Sequence, residues 1–344
     1  MLFSPGTNNH DFYINLALEA AWPFQCLTYP NPAVGAALLD QNGRLIGLAA
    51  HERAGAPHAE VLAFKAGFLT LSNDKALKRT LQNLTGSREI HDFLRAHHNN
   101  LFQGGTLYVT LEPCANEGKT PACAPLVADL GIQTLVIGCD DPNESMAGGA
   151  MLLRQRGLEV IDGVLKEACQ TLIEPFLRWQ RGRFMLFKWA QRINGSLDGG
   201  QVSSGESLTQ VHALRNLCDL MLIGGETVRR DRPTLDSRRV NGRAPDVGIL
   251  TSRRDFDRSI PLFGVPDRRV KIARDLSLLE DARFVLVEGG PGLLQKLWDD
   301  IDWLLIYEAM SFRPGLSMGL EAKAKLLRST VLGEDLKLWL RPEF

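Results

Sequence analysis

His58-Ala59-Glu60, inside GAPHAEVLA (Gly55–Ala63), and Pro113-Cys114 with Cys123, inside TLYVTLEPCANEGKTPAC (Thr106–Cys123), are the stretches on which the reading of this chain turns. One imidazole and two thiolates make a soft nitrogen–sulfur set suited to a tetrahedral zinc ion. Three protein ligands leave a fourth position open, the pattern of a catalytic site, where a bound water has its pKa lowered from about 15.7 to roughly 7. Glu60 stands two residues from His58 at the start of a predicted helix, placed to accept that water's proton and pass it on. A lone His before a helix, or two cysteines nine positions apart, means little. The order His-x-Glu, then Pro-Cys after a β-rich run, then a second Cys is what makes the signal.

Outward from these motifs, the first half alternates helices and strands. Apolar residues at helical spacing (Phe12, Leu16, Ala17, Ala20) predict a helix over Asp11–Ala21 that Pro23 stops. Pro30-Asn31-Pro32 turns into a strand over Val34–Leu39, and the turn Asp40–Gly43 joins it to a second strand, Arg44–Ala49, as a hairpin. His58–Gly67 and Ala124–Leu130 read as helices, Thr106–Leu111 and Thr134–Gly138 as strands, and Met151–Ile161 closes the unit. Strands alternating with helices imply an α/β fold with helices on both faces. Residues 67–105, carrying Lys75, Lys78, Arg79, Arg88 and Arg95, read as a solvated helical insertion; cover of the site or a subunit contact is the alternative.

A helix over Lys166–Gln180 leads out of this unit, and Arg181-Gly182-Arg183 marks a boundary, giving expected domains over 1–165 and 182–344. The second half restarts with a strand, Phe184–Ala190, followed by apolar runs at Leu220–Ile223, Val247–Leu250, Phe284–Val287 and Trp303–Tyr307. Leu208–Leu217 and Leu293–Trp298 are its helices. Twice a strand runs into paired glycines and then a helix: LMLIGGETV (Leu220–Val228) and FVLVEGGPGLLQKL (Phe284–Leu297). Such turns bring backbone close to a phosphate, or simply allow tight strand–helix packing. Neither is the G-x-G-x-x-G fingerprint of a dinucleotide domain.

Composition narrows the partners. The 344 residues carry 39 Lys and Arg against 40 Asp and Glu, a formal net charge of −1. A protein held on nucleic acid by phosphate neutralisation usually has a basic excess, so a small-molecule substrate is expected and nucleic acid is not. No run approaches the roughly eighteen apolar residues of a membrane span, and Met1–His10 has no basic-then-apolar leader. Six cysteines without a secretion signal are expected as thiols or ligands in the cytoplasm, with Cys26, Cys139, Cys169 and Cys218 as core thiols.

Together PNPAVGA (Pro30–Ala36), GAPHAEVLA, TLYVTLEPC, EGKTPAC (Glu117–Cys123), DDPN (Asp140–Asn143) and Gly148-Gly149 resemble the deaminase half of the bifunctional riboflavin-biosynthesis deaminase/reductase family. The eight residues between Cys114 and Cys123 belong to that resemblance, since nucleic-acid and free-cytidine deaminases usually have C-x-x-C. The resemblance implies a cytidine-deaminase-like three-layer domain in which His58, Cys114 and Cys123 bind Zn2+ and Glu60 is the catalytic proton shuttle, in keeping with the base-deaminase motif. It also implies that Asn31 contacts the pyrimidine and Lys119 the ribose phosphate. The family usually has one or two His just after the first Cys; here Ala115, Asn116 and Glu117 follow, and a carboxylate there is at odds with a phosphate.

FKWA (Phe187–Ala190), VHALR (Val211–Arg215), GGETVRRDRPTLDSR (Gly224–Arg238) and VEGGPGLL (Val287–Leu294) resemble the same family's reductase, a dihydrofolate-reductase-like α/β domain. By that resemblance Ala190, Thr227, Asp231 and Gly290 bind NADPH, Asp231 also holds the geometry of hydride transfer, and Leu235, Arg238 and Glu288 face the substrate. Arg229, Arg230, Arg232, Arg238, Arg239 and Arg243 make this segment locally basic, either for phosphates or as solvated surface. Where the family has Ser-Leu-Asp-Gly, this chain has Arg192-Ile193-Asn194-Gly195 in the register that keeps Lys188 and Ala190; a literal Ser196-Leu197-Asp198-Gly199 follows four residues later, and the tail beyond Met310 departs as well. The implied function is hydrolytic deamination of 2,5-diamino-6-ribosylamino-4(3H)-pyrimidinone 5′-phosphate, then NADPH-dependent reduction of the ribosyl chain to ribityl, by a homo-oligomer. A deaminase with a degenerate reductase-like module for binding or dimerisation is the alternative.

Overall fold

The computed structural model describes residues 9–198 and 200–344; the leader reading over residues 1–8 and Gly199 lie outside those residues. The first unit runs α1 (His10–Ala21), β1 (Gly35–Leu39), β2 (Leu45–Ala50), α2 (Ala59–Leu71), α3 (Lys75–Asn83), α4 (Ser87–His97), β3 (Thr106–Leu111), α5 (Cys123–Asp129), β4 (Thr134–Cys139), α6 (Gly149–Gln155) and β5 (Glu159–Ile161), then enters α7 (Lys166–Arg181). The division into two units falls inside α7, between Leu177 and Arg178. Among the described residues no helix is long and apolar enough to cross a membrane.

Strand parity builds the three layers. The sheet order is β2-β1-β3-β4-β5, with β1 antiparallel to both β2 and β3, and β3, β4 and β5 parallel. Side chains alternate faces along a strand. Ala36, Leu38, Leu107, Val109, Leu135 and Ile137 therefore share one face and pack on Phe64 and Phe68 of α2, Leu94 of α4 and Leu126 of α5. Tyr108, of opposite parity, meets Tyr13 of α1 at 4.9 Å between ring centroids.

The insertion is less solvated than its composition suggests. Asp74 caps α3, its Oδ1 accepting from the Ala76 and Leu77 amides at 2.8 and 3.0 Å. Leu81, Ile90, Phe93 and Leu94 then join the core of the first unit while Lys75, Arg79 and Arg95 stay in solvent. One apolar stripe is enough to dock a helix, so a polar average does not make it a surface appendage.

The second unit runs β6 (Phe184–Arg192), α8 (Gly205–Leu217), β7 (Leu220–Gly224), α9 (Gly225–Asp231), β8 (Asp246–Leu250), β9 (Val270–Ala273), β10 (Phe284–Glu288), α10 (Pro291–Leu297), β11 (Trp303–Ala309), β12 (Lys323–Leu332) and β13 (Asp335–Glu343). The sheet order is β12-β13-β11-β6-β10-β7-β8-β9, with the six strands from β11 to β9 parallel and the β12–β13 hairpin antiparallel. The sequence reading did not anticipate β9 or this hairpin. On β13 the buried face carries Asp335, Lys337 and Trp339, while Leu336, Leu338 and Leu340 on the other face are only half-buried.

Topology also places a crevice. From β7 the chain steps outward to β8 and β9, whereas β10 returns between β6 and β7 and continues to β11 beyond β6. Loops after β7 and β10 thus leave in opposite directions, the switch-point arrangement at whose carboxyl ends α/β sheets bind ligands.

Candidate active site

Three element ends converge in the first unit. His58 is the extended residue before α2, Cys114 follows β3 by way of Glu112-Pro113, and Cys123 opens α5. The Nδ1 of His58 lies 3.8 Å from Cys114 Sγ and 3.4 Å from Cys123 Sγ, and the three ligand atoms are all within 4.8 Å of one another. Glu60 is buried in the first turn of α2. This nitrogen–sulfur–sulfur set fits a tetrahedral zinc ion with one position left for solvent or substrate.

Electrostatics supports the fit. Contact with Cys123, whose backbone amide donates to Cys114 Sγ at 3.2 Å, holds the Cys114 thiol down to about 4, with His58 adding to the effect against burial. Cys123 is pushed well above its ordinary value for the complementary reason. Metal ligands of this kind bind deprotonated, so a cation held here would take the place of thiol protons. Burial works against charge on His58, but Cys114, Glu60 and Asp141 outweigh it and raise its pKa. Burial also raises Glu60, opposed by His58, which suits a carboxyl that must carry a proton.

The surrounding loops are tied down by a few residues. Glu112 accepts from the Gly148 and Ala150 amides at 3.2 and 2.9 Å and from the Asp141 amide at 3.2 Å, pinning residues 141–150 beside the cysteines. Gly149 lies so close to the Pro113 carbonyl that a Cβ would sit 1.9 Å from its oxygen, and Gly148 has φ +101°, so glycine is required at both. Asn116 donates to the Ser145 carbonyl at 2.8 Å, and Glu117 pairs with Arg88 of the inserted helix α4. Lys119 lies on the exposed side of the same loop.

Asn31 is fixed by a reciprocal turn with Thr28, and its amide lies 3.1 Å from His51 Nε2. The sequence reading passed over His51. It follows β2, is buried, contacts the Pro57 carbonyl through Nδ1 at 3.1 Å, and stacks edge-on against His58 at 5.3 Å. Burial pushes its pKa down to about 4, leaving a neutral ring whose Nε2 accepts from Asn31. Only its position seven residues ahead of His58 could have hinted at this.

In the second unit Glu288 ends β10 beside Lys188 of β6. Arg215 of α8 grips it with two bonds, Nε to Oε1 at 3.0 Å and Nη2 to Oε2 at 2.9 Å, and Lys188 Nζ lies 3.8 Å away. Burial alone would raise Glu288, but Arg215 and Lys188 bring it down to about 2. Arg215 also donates to the Asp236 carbonyl at 3.4 Å, and the Asp236 carboxylate holds Arg238 at 2.8 Å, so a chain of contacts links Glu288 to Arg238. Lys188 and Arg215 were not among the residues singled out from sequence; both stand in the quoted FKWA and VHALR motifs.

The other positions that the resemblance implies for this unit lie on β6, on α9 and in the loops after α9 and β10. Ala190 is half-buried on β6 next to Tyr307 of β11, and Thr227 is half-buried on α9. Leu235 is buried with φ +57°, its carbonyl gripped by Arg268. Asp231 is exposed and paired with neighbouring Arg230 at 2.7 Å. The paired glycines divide between the two readings. A Cβ on Gly225 would meet Thr251 at 2.6 Å and one on Gly289 would meet Leu293 at 2.6 Å, whereas one on Gly290 meets nothing within 4 Å. Gly225 and Gly289 serve packing; Gly290 borders open space after β10.

Much of the local basic charge is neutralised: Arg229 lies near Asp255, Arg232 binds Asp257, and Arg238 binds Asp236. Arg192 donates to Ser311 Oγ at 2.6 Å and Asn194 to the Arg313 carbonyl at 2.9 Å. The two departures from the family pattern therefore tether the segment after β11.

Comparison with known proteins accords with this layout. Residues 7–139 match the model of the cytidine and deoxycytidylate deaminase zinc-binding region, and residues 191–309 match that of the RibD C-terminal domain. The chain is 30% identical over 301 residues to riboflavin biosynthesis protein RibD of Mycobacterium tuberculosis, covering 82% of this chain and 79% of that protein. The chain belongs to the RibD family. A RibD from Synechocystis is 36% identical over 235 residues, a match spanning 66% of this chain but only 55% of that relative. A diaminohydroxyphosphoribosylaminopyrimidine deaminase/5-amino-6-(5-phosphoribosylamino)uracil reductase from Thermotoga maritima superposes with a TM-score of 0.64 at 27% identity, covering 97% of this chain and 99% of that one. RibD membership thus joins a cytidine-deaminase-like unit and a reductase unit in one polypeptide.

Proposed function

We propose that this chain performs two successive steps of riboflavin biosynthesis. The first unit hydrolyses the 2-amino group of 2,5-diamino-6-ribosylamino-4(3H)-pyrimidinone 5′-phosphate, and the second reduces the ribosyl chain of the product to ribityl with NADPH. The observation that carries this reading is the convergence of His58, Cys114 and Cys123 beside buried Glu60, in a chain that also holds a RibD-type reductase unit.

His58, Cys114 and Cys123 hold the zinc ion, which when bound supplies an activated water at neutral pH. Glu60, whose proton affinity burial raises, takes a proton at its carboxylate and delivers it to the departing amine. Asn31, oriented by Thr28 and His51, reads the pyrimidine edge, and Lys119 meets the phosphate. In the second unit Thr227, Asp231, Ala190 and Gly290 orient NADPH, which brings the hydride chemistry with it. Glu288, Leu235 and Arg238 face the substrate, with Glu288 kept ionised by Arg215 and Lys188. The reading includes a cytoplasmic homo-oligomer, for which light scattering on the purified chain is the check.

The test is a single vessel holding the zinc-loaded enzyme, the diaminopyrimidinone nucleotide and NADPH, with ammonia release and NADPH oxidation followed together. Ammonia with matching NADPH loss is expected. Ammonia alone, with the ribosylaminouracil accumulating, would leave the second unit as a binding module; no ammonia would overturn the deaminase assignment.

A further inference from the structure

We infer that Thr120 is a positioning residue for the metal centre: its hydroxyl accepts the Nε2 proton of His58 and so keeps Nδ1 as the nitrogen that faces both cysteine sulfurs. This rests on the zinc reading above and adds the group that selects the ligating tautomer.

A neutral imidazole carries one N–H, and the nitrogen that carries it cannot ligate a metal. Nδ1 of His58 is the nitrogen 3.4 and 3.8 Å from the sulfurs, while Nε2 lies 3.1 Å from Thr120 Oγ1. Metal-binding histidines are oriented through the other ring nitrogen, and outer partners of this kind are worth about 10–100-fold in metal affinity. A hydroxyl, unlike a carboxylate, adds little to ligand basicity, so its effect is on tautomer and ring orientation.

The local sequence prepares that hydroxyl. Thr120 precedes Pro121, which biases its backbone away from helix, and its β-branched side chain has few χ1 choices. It is buried at 7% exposure, and its carbonyl accepts the Gly118 amide at 3.1 Å. Three residues before it, Glu117 is braced by Arg88 of α4. The loop between the two cysteines thus supplies the orienting group for the third ligand as well as two ligands of its own.

The experiment is zinc competition against a chromogenic chelator, using the purified full chain stripped of metal and titrated with zinc alone. Thr120→Val, nearly the same volume without the hydroxyl, is expected to bind zinc about 10–100-fold more weakly, and Thr120→Ser to recover most of that loss. Circular dichroism and urea midpoints of the metal-free variants show whether each folds as the parent does. Wild-type affinity in Thr120→Val overturns the inference. So does Thr120→Ser being as weak as Thr120→Val, because the loss then does not follow the hydroxyl. Failure of the parent chain itself to take up one zinc overturns the metal reading and this inference with it.

Discussion

The two units each bury a polar cluster, and the clusters differ in where the counter-charge comes from. Around His58, Cys114 and Cys123 one imidazole and two thiols lie with their ligand atoms within 4.8 Å of one another, a donor set that suits an added soft cation. Around Glu288 the carboxylate is compensated from within the fold: Arg215 grips both carboxylate oxygens and Lys188 lies 3.8 Å away. The first site is a set of metal-ligand donors; the second carries its own ion pairs. Metal removal should accordingly loosen the first and leave the second unchanged.

The sharpest way to break this contrast is Glu60→Gln. It should lower the deamination rate by about 10²–10⁴-fold, the usual share of a general acid–base, while zinc content and NADPH oxidation on supplied ribosylaminouracil stay as they were. Substantial remaining deamination would remove Glu60 as the shuttle.

Next is Arg215→Ala, which strips the bidentate partner from a buried carboxylate. Breaking such a pair typically costs about 3–5 kcal/mol. Urea unfolding should therefore show a large loss in the second unit alone; a shift below ~1 kcal/mol would mean the network is a surface ornament rather than a buried balance.

The same network sets a pH dependence. Glu288 has a folded pKa of about 2 against an ordinary 4.5. A depressed folded pKa stabilises above the unfolded value and loses that contribution as pH falls toward the folded one. Stability should thus decline between about pH 4.5 and pH 2 by on the order of a few kcal/mol, and Glu288→Gln should flatten the decline. Equal slopes for the two proteins would contradict the assignment.

Asp231→Asn should have the smallest effect, a reductase rate about tenfold lower, equivalent to ~1.4 kcal/mol, with ammonia release unchanged. Asp231 is exposed and bonded to its neighbour Arg230, so an unchanged NADPH-dependent rate would remove it from the site.

Legibility from sequence followed the range of the interactions. The zinc motif was readable because each ligand sits at an element end marked by local chemistry: an extended residue opening a helix, a Pro-Cys after a strand, and a Cys beginning a helix behind Thr-Pro-Ala. Hairpin β1–β2 and the parallel strands other than β9 were readable from apolar runs bounded by turns. His51 was not, because its role depends on a polar partner twenty positions away and on burial that no local pattern announces. Strand β13 was passed over although leucines recur at every second position (Leu336, Leu338, Leu340); what only the fold decided is that the face carrying Asp335, Lys337 and Trp339 is the buried one.

Residue type and short spacing thus specify the soft donor set, its acid–base companion, and the alternation of strands and helices in both halves, because these are properties of a few consecutive residues. Which charges survive to act is a matter of packing. Arg229, Arg232 and Arg238 read as a basic patch until folding sets Asp255, Asp257 and Asp236 beside them. Lys188, Glu288 and Arg215 read as unrelated residues until β6, β10 and α8 bring them together. Pairing and burial over such distances depend on the free energy of the whole fold, and a linear pattern carries no record of it.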